Sequence, residues 1–121
     1  MDQNAPPAEA ARLNSQGMRA LRAGSFAEAE RLFLEATQHD KSAGALWRNV
    51  ATARRAQRDD AGELHALNAA IDADRRDFMA WLRKAELHQR LQEDADAVAA
   101  WQGVLQLAAQ SDDLPPELSQ T

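Results

Sequence analysis

Cysteine and tyrosine are absent from this 121-residue sequence, glycine occurs only five times and proline four times. Without cysteine there is no disulfide, no thiolate nucleophile and no cysteine-ligated zinc. The prolines sit in two pairs, Pro6-Pro7 and Pro115-Pro116, so residues 8–114 carry no proline to break a helix. Positive charge is in deficit: 14 basic residues face 19 acidic ones, for a net charge of -5. A phosphate backbone repels such a chain as a whole, and nucleic acid is not expected as its partner. No apolar run reaches the length of a membrane span, and no membrane partner is expected. The opening Met1-Asp2-Gln3-Asn4-Ala5-Pro6-Pro7 has neither the basic start nor the apolar core of a signal peptide. A reducing, cytoplasmic setting is the expectation.

What the chain does have is helix-forming material, arranged with a period. Trp47 and Trp81 stand 34 residues apart, and the same shift aligns further columns. Leu13, Trp47 and Trp81 form a bulky column and Gly17, Ala51 and Ala85 a small one. Phe33, Leu67 and Trp101 form a second bulky column, and Ala36, Ala70 and Val104 a compact one. Within each unit the apolar residues recur every three or four positions, as in a helix with one buried face. Helices are predicted over 9–23, 26–39, 44–57, 60–74, 78–91 and 94–109, each pair joined by a tight turn. Ser25 followed by Glu28 has the spacing of a capping box.

Chemistry-bearing motifs are missing. His39, His65 and His88 are too far apart for a short metal-binding motif, so no metal is expected. The acidic groups Asp59-Asp60, Asp72 with Asp74, and Glu93-Asp94-Asp96 fall at predicted turns and helix starts. There they complement exposed backbone N–H groups, and they lack calcium-loop spacing. No phosphate loop, nucleophile elbow or dinucleotide fingerprint is present. These residues are expected to hold no catalytic centre and no cofactor.

The residues Trp47, Ala51, Leu67 and Ala70, then Trp81, Ala85, Ala97, Trp101 and Val104, with Gly17, Gly24, Phe26, Ala29, Phe33 and Ala36 before them, resemble the tetratricopeptide repeat. The resemblance implies an all-α, right-handed solenoid of three helix-turn-helix repeats, at about 10–43, 44–77 and 78–110. Residues 1–8 are then expected to be a flexible tail, and 111–121 a tail or truncated capping helix. Departures from the pattern are Arg58 and Gln92 at the turn-glycine position, Glu63 at a small-residue position, and Lys41, Arg75 and Ala109 at the closing proline.

The resemblance also implies that the first helix of each repeat lines a concave groove for a peptide or protein partner. The groove positions are Asn14, Met18, Leu21 and Arg22, then Arg48, Asn49, Thr52 and Arg55, then Met79, Leu82, Arg83, Glu86 and Arg90. An arginine-rich face with adaptable Met and Leu suits a partner of acidic and apolar character. Of the five residues with which some such repeats clamp chaperone C-terminal carboxylates, this chain keeps Asn49 and Arg83. Asn14 and Met79 stand in place of the lysines and Met18 in place of an asparagine, so that ligand is not expected.

The last predicted helix carries an apolar load around Trp101 and Leu105, which predicts a homodimer interface there or a continuation of the chain. The segments Asp77–Leu87, Leu105–Ala108 and Leu114–Leu118 also resemble the N-terminal repeats of bacterial proteins that continue into an aspartyl/asparaginyl β-hydroxylase domain. That resemblance implies a substrate-recruiting role beside a catalytic domain elsewhere.

Overall fold

The structure is a computed structural model and describes residues 5–110. Six α-helices follow one another: α1 (Ala5–Arg22), α2 (Phe26–His39), α3 (Gly44–Ala56), α4 (Asp60–Ala73), α5 (Phe78–Arg90) and α6 (Asp94–Ala109). There is no strand among the described residues, and no helix there is long and apolar enough to cross a membrane. The chain divides into two compact units, one to Arg75 holding α1–α4 and one from Arg76 holding α5 and α6.

The predicted helices and the observed ones agree closely, with one informative difference. α1 begins at Ala5, inside the segment expected to be a flexible tail. Pro6 and Pro7 fall in its first turn, where backbone N–H groups have no intrahelical acceptor and a fixed φ is already helical. The start at 9 was too late because apolar periodicity marks only the residues that face the core. The expected tail at 1–4 and the expected capping helix at 111–121 lie outside the described residues.

The three hairpin turns are one motif repeated in register. Ser25, Asp59 and Glu93 each donate a backbone N–H to the carbonyl five residues earlier, on Ala20, Arg54 and His88, at 2.8–2.9 Å. Gly24, Arg58 and Gln92 each donate to the carbonyl three residues earlier. This is the Schellman arrangement, which needs a left-handed residue in the middle. Gly24 supplies it at φ 82°, and Arg58 and Gln92 adopt it at φ 61° despite their side chains. Ser25 stands at the start of α2 but makes no side-chain cap, and Glu28 pairs with Arg31 instead at 2.6 Å. The expected capping box does not form, because the guanidinium one turn ahead offers the carboxylate a charged partner.

The first unit buries Ala10 and Leu13 of α1 with Leu32 and Ala36 of α2 and Leu46 of α3. Phe33 is fully buried, and its ring lies where a β-carbon on Gly17 would sit, at 2.5 Å. The same two columns read Ala51 with Leu67 and Ala85 with Trp101, so the smallest residue stands opposite the phenyl ring. A polar seam reinforces the packing. Arg54 of α3, mostly buried, donates Nε to Glu30 Oε2 of α2 at 3.0 Å and Nη1 to the Gly62 carbonyl of α4 at 3.1 Å. Gln57 donates to the other oxygen of Glu30 at 2.7 Å. Arg54 thus ties both repeats of the first unit together. Glu63, the expected misfit, is accommodated with its side chain almost wholly buried, and no buried side-chain polar atom among the described residues lacks a partner.

In the second unit Ala85, Ala100 and Val104 form the core, with Trp81, Leu82 and Trp101 packed against it. Gly103 admits the Trp81 ring, which a β-carbon would meet at 2.6 Å. Trp47 and Ala69, 34 residues before Trp81 and Gly103, both line one cleft in the first unit.

Candidate functional site

On α1 and α3 two of the expected groove residues meet. Asn49 Nδ2 donates to Asn14 Oδ1 at 2.7 Å, a bond from one helix to the other. Of the other expected positions on these two helices, Met18, Leu21, Arg48 and Thr52 are half-buried, while Arg22 and Arg55 are exposed. Thr52 is committed locally, its hydroxyl donating to the Arg48 carbonyl at 3.1 Å. None of these groove positions is acidic. The arrangement presents apolar Met and Leu surface and neutral amides, with guanidinium groups on the same two helices.

On α5 the expected residues are less uniform. Met79 is well exposed at 46%, beside Phe78 at 37%. Leu82 leans on the α5–α6 core and offers only part of its surface. Arg83 is half-buried, and Glu86 and Arg90 are exposed. Arg48, Arg83 and Arg90 all take part in further polar or ionic contacts. Trp101, expected at an oligomer interface, is half-buried and donates Nε1 to Gln89 at 3.3 Å. Leu105 is 66% exposed and Val98, two turns earlier on the same face of the helix, 57%.

An open cleft of about 430 Å³ lies elsewhere in the first unit, lined by Thr37, Gln38, Lys41, Trp47, Ala69, Asp72 and Ala73. Among the described residues one set of metal-type donors does converge: His88, Glu93 and Asp96, whose ligand atoms all lie within 4.8 Å of one another. The histidine spacing alone missed this set, because its partners are carboxylates in the following turn. The Arg54 seam was missed too, although Arg54 shares its column with His88.

The same fold recurs among solved structures. The first tetratricopeptide domain of Spaghetti (RPAP3), bound to an HSP90 peptide, superposes with a TM-score of 0.74 at 22% identity, over 93% of this chain and 91% of that one. The chain has the tetratricopeptide-repeat fold. The TPR2B domain of yeast Sti1, in its pHsp70 complex, matches at TM-score 0.78 and 18% identity, over 93% and 91% of the two chains. The Yersinia enterocolitica type III secretion translocator chaperone SycD matches at 0.77 and 15%, over 92% and 83%. No protein-family model and no curated protein matches the sequence. The substitutions at Arg58, Glu63 and Gln92 show how far side chains drift from the repeat pattern while the backbone is kept.

Proposed function

We propose that this chain is a protein-interaction module whose tetratricopeptide repeats bind a peptide or protein segment of acidic and apolar character. The observation that carries the reading is the α1–α3 face. On a chain of net charge -5, the groove positions of these two helices gather Arg22, Arg48 and Arg55 with Met18, Leu21 and the Asn14–Asn49 pair, and include no acid. Guanidinium forks pair with carboxylates, and a side-chain amide pairs with a peptide group. The similar RPAP3 domain is bound to an HSP90 peptide and the Sti1 domain is in a pHsp70 complex, which supports a segment-binding role. The absence of the clamp lysines here argues for a different ligand. Met79 and Leu82 of α5 offer a second set of apolar contacts in the other unit.

A phage-displayed library of random dodecapeptides tests the proposal. Selected sequences should be enriched in Asp, Glu and large apolar residues and should lose binding to the Arg22→Glu, Arg55→Glu double variant. Enrichment without acids, or binding indifferent to the double reversal, refutes it. Exposure of Leu105 and Val98 on α6 favours a second reading, self-association through that helix. Light scattering of the wild type beside Leu105→Glu tests it, and a monomer at every concentration removes it.

A further inference from the structure

We propose that His88, Glu93 and Asp96 form a site for a divalent transition-metal ion of the zinc class, at the junction of α5 and α6. The imidazole comes from the end of one helix and the carboxylates from the start of the next. His88 Nδ1 is 2.8 Å from Glu93 Oε1, and all three donor atoms lie within 4.8 Å of one another. With metal–ligand bonds of about 2.1 Å, a tetrahedral zinc holds its donors about 3.4 Å apart. A small opening of the His88–Glu93 pair and a rotation of Asp96 reach that geometry.

The repeat register supplies an internal comparison. The equivalent positions are Ala20, Ser25 and Glu28 in the first repeat and Arg54, Asp59 and Gly62 in the second. In the second repeat Asp59 does the ordinary work of an acid at a helix start, accepting from the Gly62 N–H at 3.0 Å. Glu93 holds the same place but makes no cap bond; its carboxylate turns to His88. Only the third repeat combines an imidazole at the first of these positions with carboxylates at the other two.

Burial and charge favour the same reading. The His88 side chain is 6% exposed, held rigid by the core, while Glu93 and Asp96 are exposed and open to an arriving ion. Two carboxylates and a neutral imidazole balance a divalent charge, and Asp94 in the same turn further offsets the positive end of α6. Imidazole with carboxylates suits zinc, nickel and cobalt better than calcium or magnesium, whose ligands are all oxygen. Three protein ligands leave a fourth position for water or for a donor from a partner.

Titration of the tag-free chain with zinc by calorimetry, and with cobalt(II) by visible absorbance, tests the site. One equivalent of zinc should bind, and cobalt should give ligand-field bands of a low-coordinate N/O site. Asp96→Asn, an exposed change that leaves the fold intact, should weaken zinc binding at least tenfold, and His88→Gln more. A His39→Gln, His65→Gln variant should bind as the wild type does. No saturable zinc binding, or equal binding by Asp96→Asn, overturns the proposal, and so does loss of binding in the His39, His65 variant.

Discussion

Replacing Gly17 by Ala should destabilise the protein, and replacing Phe33 by Leu beside it should reverse the sign of that effect. In an ordinary helix interior, Gly→Ala gains about 1 kcal/mol. Here the new methyl would stand 2.5 Å from Phe33 Cε1 and 2.7 Å from Cδ1. Phe33 is fully buried, so its ring has no solvent to swing into. Overpacking of this kind costs about 1–3 kcal/mol, so a net loss of about 1 kcal/mol is expected from Gly17→Ala. Phe33→Leu alone leaves a void and should cost about 1–2 kcal/mol. With Leu at 33 the void accepts the methyl, and the second repeat already holds that combination in Ala51 and Leu67. Gly17→Ala should then stabilise by about 1 kcal/mol, giving a coupling of about 2 kcal/mol between the two changes. Urea unfolding of the four proteins, with unchanged dependence on denaturant, measures it. A Gly17→Ala effect of equal size in both backgrounds would refute the account of how helix and ring meet.

Arg58→Gly and Gln92→Gly should each raise stability by about 0.5–1 kcal/mol, since a β-carbon in a left-handed conformation is strained; thermal unfolding shows it. Gly24→Ala should lower stability by about 1 kcal/mol although nothing lies within 4 Å of the added methyl, because φ is 82° there. Arg54→Ala should cost about 2 kcal/mol by stranding Glu30 and the Gly62 carbonyl, and Arg54→Lys should recover only part, lacking the fork. Glu9 and Glu28 are held below the usual glutamate range by hydrogen bonds from Arg12 and Arg31. Because their folded-state pKa values are depressed, whatever they contribute is present above the ordinary value near 4.5 and is lost as pH falls through the depressed one. Helicity by circular dichroism should therefore fall more steeply below about pH 4.5 in the wild type than in Arg12→Gln, Arg31→Gln.

Much of this architecture was legible in residue spacing. A period of 34 locates repeats because equivalent side chains must fill equivalent seams, and helical spacing within each unit leaves the helix pairs as the way to bury them. The turn positions 24, 58 and 92 were readable for the same reason, even where glycine is absent. Local rules failed where several partners competed. Ser25 and Glu28 have the right spacing for a cap, yet Arg31 takes the carboxylate. Residues 1–8 read as a tail, yet α1 begins at Ala5, with Pro6 and Pro7 in its first turn.

Which residues share a helix face follows from periodicity alone, and the choice of the α1 and α3 face as a groove came from the repeat resemblance. That Asn14 and Asn49 bond to each other could not be read in advance, since the contact depends on how two helices from different repeats are set side by side. Nor could the joining of Glu30 to Arg54 and Gln57, or the meeting of His88 with Glu93 and Asp96 across a turn. The order of amino acids determined that this chain forms paired helices in a repeating register, because periodic burial of apolar side chains is a property of the chain itself. Which polar groups face one another was decided only when the helices packed, because hydrogen bonds and ion pairs depend on distances of a few tenths of an ångström that spacing along a chain does not contain.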